Sequence, residues 1–318
     1  MLTAIFYLNK IIYIKLTLYY LETDMTNPLN QLKMNYRKYV GGVFSLLLFI
    51  SLLGCTAKKK TDLQNMSLQG KVKQMIETQY IAVEKFGKVE KGDLYRRDGW
   101  DMTIDFNEQG NYSKITYFDS YGQIVGYTDY LYNKQNQLTT EQNYDAEGGF
   151  SDKRVYSYDE KNRINQIVRL NSSGNLTGST LIEYDDKKNI IERASYNARG
   201  KLLGKEVSKT DKNDFPIETK IYNSENRLVN YRTEAFDKKG LRRELTVFSP
   251  EEDVLMKISF NYDKKGNLIL QEGTDETGAA FLPVRYEYEF DKQKNWIRRV
   301  EYVGDKPTFV TERHFQYY

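Results

Sequence analysis

The feature that most narrows what this chain can fold into is the spacing of one short phrase, clearest in NYDKKGNLIL (261–270). An aromatic residue is followed by Asp, two polar residues, Gly, Asn and Leu. Asp at the first corner of a type I turn bonds its side chain to the backbone ahead. Gly or Asn four residues after the aromatic takes positive φ, as a tight hairpin loop requires. The template fits with its aromatic slot at 106, 118, 132, 144, 158, 170, 184, 196, 210, 222, 236, 248, 262, 274 and 290. Leu170, Thr210 and Thr274 are the only slots without Phe or Tyr, and Ser249 is the only following residue that is not Asp or Asn. Lys188, Glu252 and Lys294 depart from Gly, Asn or Asp at the left-handed slot. Asn189, Asp253 and Asn295 come next, which predicts a left-handed residue displaced by one place at those three corners.

Successive slots lie 12 and 14 residues apart in alternation, with a final gap of 16, so the unit is 26 residues with two corners. Every gap is even. Side chains on a strand alternate faces with period two, and even gaps predict all the corner-flanking aromatics on one face. Between corners lie strands of about seven and nine residues, such as LTTEQNY (138–144) and FSDKRVYSY (150–158). The fold class expected is all-β: a long antiparallel up-and-down meander of tandem hairpins, about sixteen strands wide. Twist should curl it into a β-strip, half-barrel or closed barrel. A β-solenoid with one coil per unit is the competing architecture. The centres of the short strands hold Lys114, Gln142, Gln166, Glu192, Glu218, Lys220, Glu244 and Arg298 on the aromatic face. Glu141, Arg193, Thr219, Gln271 and Arg299 lie on the other. That pattern predicts solvent on both faces and lacks the apolar mid-height band of a membrane-spanning barrel.

Ahead of the repeats, Arg37 and Lys38 precede an apolar run, Val43 to Leu53, then Gly54 and the sole cysteine, Cys55. This is a secretory leader. Leu-Leu-Gly-Cys resembles the lipobox of bacterial lipoproteins, which implies cleavage before Cys55 and lipid on its sulfur and new amino group. The expected divisions are 1–33, an upstream extension from a misplaced start; 34–54, a lipoprotein signal peptide; 55–67, a polar tether; 68–105, introductory strands; and 106–318, the repeat domain. The membrane, through lipid on Cys55, is therefore one partner. No Asp follows Cys55, which by the enterobacterial sorting rule favours the outer membrane facing the periplasm, and the lack of an acidic stretch there weighs against surface display. Residues 1–54 carry five Lys/Arg and two Asp/Glu, leaving 42 of each sign in the mature chain. A neutral, finely mixed surface offers no footprint for nucleic acid.

Little chemistry is legible, and neither catalysis, a cofactor nor a metal is expected. With Cys55 acylated and His314 the only histidine, Cys-His pairs and zinc spacings are excluded, and a Ser-His-Asp triad has one base to draw on. Glu141, Glu192, Glu218, Glu244 and Glu272 look like ordinary strand-face charges. Calcium at the DxxGN corners is disfavoured by the paired lysines in the loop. Tyr286, Tyr288, Phe290 and Trp296 cluster in VRYEYEFDKQKNWIRR, with Trp100 far upstream. Tyr286, Tyr288 and Trp296 could form a platform for a glycan or protein ligand, or could simply seal one end of the sheet.

The YDxxGNL corners, Tyr262-Asp263-Lys-Lys-Gly266-Asn267-Leu268 most clearly, resemble the YD repeats of Rhs-type proteins. They are more similar still to short repeat lipoproteins of Gram-negative bacteria. The resemblance covers about 106–302 and implies a spiral β-strip with a non-catalytic role. The toxin-enclosing shell of Rhs-type proteins is not expected, since the strands are too few for a closed cocoon and no toxin domain follows the repeats. The expected function is an exported, lipid-anchored β-repeat protein that binds or scaffolds at the cell envelope. The alternatives are an outer-membrane β-barrel and a carboxylate-dependent hydrolase of envelope glycans.

Overall fold

At the corners an acid, an amide or, at Ser249, a hydroxyl closes its own turn. Asp263 donates its N–H to the Asn267 carbonyl and accepts the Gly266 N–H on its own (2.9 and 3.1 Å). Its Oδ1 then accepts the N–H groups of Lys265 and Asn267, both at 2.8 Å. A type I turn followed by a left-handed residue makes a G1 bulge, and the register slips by one residue there, between Asn261 and Tyr262.

The computed structural model describes residues 60–95, 101–119 and 121–318; Cys55, Trp100 and the leader lie outside them. The left-handed residue falls at the template slot in every corner but one. Asn189 is displaced as expected, but Glu252 (φ 71°) and Lys294 (φ 72°) take the conformation themselves, against expectation. Near Lys294 the reason is visible. Asn295 is buried, accepts the Gln69 N–H at 2.7 Å and donates to the Gln69 carbonyl at 2.9 Å, so it is committed elsewhere. A left-handed residue with a Cβ costs about 1–2 kcal/mol, partly offset by the extra freedom glycine gives the unfolded chain. Lys294→Gly and Glu252→Gly should each raise stability by about 0.5–1 kcal/mol, read as a higher urea midpoint.

A short helix, α1 (Asp62–Asn65), precedes nineteen strands. Three lead in: β1 (Val72–Lys85), β2 (Lys88–Leu94) and β3 (Asp101–Phe106). The repeats continue as β4 (Tyr112–Phe118), β5 (Ile124–Tyr132), β6 (Leu138–Asp145), β7 (Phe150–Tyr158), β8 (Ile164–Asn171) and β9 (Leu176–Asp185). Next come β10 (Ile190–Asn197), β11 (Leu202–Thr210), β12 (Pro216–Asn223), β13 (Leu228–Phe236) and β14 (Arg242–Phe248). The chain ends with β15 (Val254–Tyr262), β16 (Leu268–Asp275), β17 (Val284–Phe290), β18 (Trp296–Val303) and β19 (Lys306–Tyr317). Each strand from β3 to β18 pairs antiparallel with the next in sequence, while β1 pairs antiparallel with β2, with β19 on one edge and with β3 on the other. With β2 set aside as a hairpin partner of β1 alone, eighteen strands close into a barrel. This is the closed form of the expected meander, and the solenoid does not occur.

Two places depart from the regular ladder. The long final gap lies between β16 and β17, which pair only through Leu270↔Arg285 and Gln271↔Val284, while the extra residues turn back to form Thr274↔Ala280. The β1–β2 hairpin shields the wall of β18 and β19: Arg298 donates to the Val89 carbonyl, Lys91 pairs with Glu312, and Val300 and Val310 are buried.

The bulges correct one expectation. Tyr132, Tyr158 and Tyr184 do share the inner face, and the Tyr158 and Tyr184 hydroxyls donate to the carbonyls of Leu138 and Ile164. The intervening slots face outward: Tyr144 stacks on Tyr127 and Phe248 on Tyr231, at 4.7 and 4.6 Å. One bulge per corner flips the parity, and two bulges restore it every 26 residues. A second expectation also fails. The inner face is buried at its centre (Thr219 is 1% and Arg299 5% exposed), because polar side chains there satisfy one another. Ser208 bonds Thr219, and Glu141 accepts from both Arg154 and Tyr156.

The end of the expected tether is also folded. Thr61 caps α1, Leu63 and Leu68 join Val72, Met75, Ile104, Phe106 and Ile115 in a core cluster, and Asp62 accepts the Tyr112 N–H at 2.9 Å. This segment packs against the rim formed by the β3–β4 corner.

Candidate binding site on the inner face

Three of the aromatics singled out from sequence do come together. Inward positions on β17 are even-numbered, which aims Tyr286 and Tyr288 at the interior beside Trp296 at the start of β18. The Tyr288 and Trp296 rings meet edge to face at 5.9 Å, and the Tyr288 hydroxyl donates to the Leu268 carbonyl at 2.8 Å. Burial pushes the Tyr288 phenol up to about 12.

Tyr286 and Trp296 are buried, so they present no open platform. The protein's own cations hold their faces: the Arg313 guanidinium lies 3.6 Å from the Trp296 ring, and Arg299 lies 5.4 Å from Tyr286 and 5.3 Å from Trp296. Cation–π contacts of this kind strengthen as water is excluded. Two buried acids complete the cluster. Glu77 on β1 accepts from Arg313 Nε at 2.7 Å, and Glu301 on β18 is 3% exposed. Burial pushes the Glu301 carboxyl up, although Arg299 opposes the shift. Arg299 bonds Thr311 at 3.3 Å, while its buried Nε–H has no hydrogen-bond partner among the described residues. The rings and the two guanidiniums thus engage one another, and the Arg299 Nε–H is left without an acceptor among the described residues. Sequence gave no sign of Glu77, whose place in the cluster depends on β1 returning to β19.

The remaining candidates lie elsewhere. His314 sits on the exposed wall of β19, opposite Ile76. Glu141 is engaged by Arg154 and Tyr156, whereas Glu192, Glu218 and Glu244 pair with Lys205, Lys220 and Lys257 on the outer wall. Corner carboxylates such as Asp237 and Asp263 are taken by backbone N–H groups of their own turns. Among the described residues no three His, Cys, Asp or Glu side chains converge as metal ligands do.

No family model and no curated protein matches the chain. Solved structures do. A porin-like protein from Bacteroides uniformis is 8% identical, with 78% of this chain and 99% of that one covered, at a TM-score of 0.29. Another, from Bacteroides vulgatus, is 11% identical over 78% and 98%, at 0.31. The TcdB2-TccC3-Cdc42 structure matches 73% of this chain but only 16% of its own, at 12% identity and 0.25. At such identities and scores these likenesses say nothing of activity. The chain is a large β-barrel.

Proposed function

We propose that this barrel is exported and held at the cell envelope by lipid on Cys55, at the outer membrane facing the periplasm, with a non-catalytic binding or scaffolding role. The outer wall carries the reading. Glu192–Lys205, Glu218–Lys220, Glu244–Lys257 and Glu289–Arg298 lie on outward positions within the strands, at 2.7 to 3.5 Å. A lysine or arginine facing lipid at the bilayer midplane costs about 2–4 kcal/mol. Such a wall suits water, and a barrel in water at the envelope needs a separate anchor. The ligand proposed is a glycan or protein segment, and in the inner arginine–aromatic cluster the Arg299 Nε–H is the one group among the described residues left to meet an acceptor on it.

Radiolabelled palmitate should enter the wild type and not Cys55→Ala. Exported behind a leader that is removed without lipidation, residues 56–318 should move from the membrane fraction to the soluble fraction without detergent. Retention in the membrane until detergent is added would favour the outer-membrane barrel instead.

A further inference from the structure

We propose that the barrel rim beside α1 is a docking surface for the anionic phospholipid headgroups of the membrane that holds Cys55; the inference rests on that anchoring. Alternate corners come to opposite rims, and corners one unit apart touch: Lys161 and Arg163 reach Asp186, and Lys239 reaches the Lys264 carbonyl. The rim beside α1 holds the corners at 107–111, 133–137, 159–163, 185–189, 211–215, 237–241, 263–267 and 291–295. They carry twelve Lys/Arg and ten Asp/Glu. Six of those acids are corner Asp residues that begin a turn, and all six accept N–H groups from the backbone of their own turns. The lysine pairs 187–188, 238–239 and 264–265 are exposed. At the opposite rim the corners at 119–123, 145–149, 171–175, 197–201, 223–227, 249–253 and 275–279 carry three basic and nine acidic residues. A chain neutral in sum is polarised along the barrel axis, which corrects the finely mixed surface expected from sequence.

Two further observations place the membrane at the basic rim. Lys60, five residues after Cys55, leads straight into α1 there, and five residues span at most about 18 Å. Lipid on Cys55 would therefore hold this rim within that distance of the bilayer. Between the α1 segment and the corners lies a groove of about 580 Å³ with Lys71, Lys265, Ser67 and Gln109 among its walls, dimensions and donors suited to a headgroup phosphate. Basic residues gain from an anionic surface only within about a Debye length, roughly 8 Å at physiological salt. Contact at the rim is thus required, and attraction at a distance is not enough.

The test uses the full acylated protein in vesicles of phosphatidylcholine with a minor fraction of phosphatidylglycerol. A fluorophore is placed at Gln135→Cys on the basic rim or Ser172→Cys on the acidic rim, and the lipid headgroups carry a quencher. The basic-rim probe should be quenched several-fold more than the acidic-rim probe. In pure phosphatidylcholine, in molar salt, and in the variant combining K238E, K239E, K264E and K265E, the contrast should shrink to the smaller value that the tether alone sustains. Equal quenching of protein that floats with the vesicles overturns the docking and leaves the anchoring intact. Failure to float sinks the anchoring, and the docking with it.

Discussion

Glu77→Gln is expected to lower the free energy of unfolding by about 3–5 kcal/mol, the cost of leaving a buried guanidinium without its carboxylate. Arg313 Nε and Glu77 Oε2 are 2.7 Å apart, with side chains only 5% and 9% exposed. Glu77 lies opposite Arg313 across β1–β19 and opposite Met102 across β1–β3, where one strand closes the ring on both edges. Arg313→Leu should cost a similar amount. The double variant Glu77→Met with Arg313→Leu should recover most of the loss, because neither charge is then stranded. Urea midpoints at constant slope would read all three. A loss below about 1 kcal/mol for Glu77→Gln, the range of exposed pairs, would mean that water reaches the pair and that β1 does not seal the barrel.

The same pair sets a pH dependence. Burial alone would push the Glu77 carboxyl up, but the Arg313 and Arg299 charges and the Arg313 hydrogen bond outweigh it and hold it below its ordinary 4.5. Burial pushes the Arg313 guanidinium down, yet arginine stays charged. A carboxyl depressed in the folded state contributes stability in full above its unfolded value and loses it as pH falls through the folded one. The wild-type midpoint should therefore fall below about pH 4.5, and the gap to Glu77→Gln should narrow over the same interval.

Corners were legible in sequence because their chemistry is local: Asp, then a residue able to take positive φ, at fixed offsets. The faces were half legible. Counting even gaps treats a corner as pure strand, whereas the G1 bulge removes one residue from the ladder, so Tyr144 and Phe248 point away from Tyr132 and Tyr262. Closure left no local mark, since Met75 and Phe315 meet only when the ends of the domain do. Arg299 therefore read as a solvent-facing strand-centre residue, and its burial, like that of Glu301 beside it, follows from closure. The polarity of the rims was in the sequence all along; it emerges once alternate corners are assigned to opposite ends.

Adjacent residues on β9 should respond very unequally to the same truncation. Ile182 is 7% exposed on the inner face, opposite Arg193, while its neighbour Leu181 is 38% exposed on the outer wall. Ile182→Ala removes buried methyl groups and leaves a cavity that a ladder paired on both edges cannot easily collapse, at a cost of about 2–5 kcal/mol. Leu181→Ala removes atoms still partly in water and should cost well under about 1 kcal/mol. Two single variants measured by urea unfolding thus test which face of β9 points inward, because a one-residue slip would exchange the two results. Equal losses would indicate a sheet wet or dry on both sides, and the inward arginine–aromatic cluster could not then be read as the interior of a barrel.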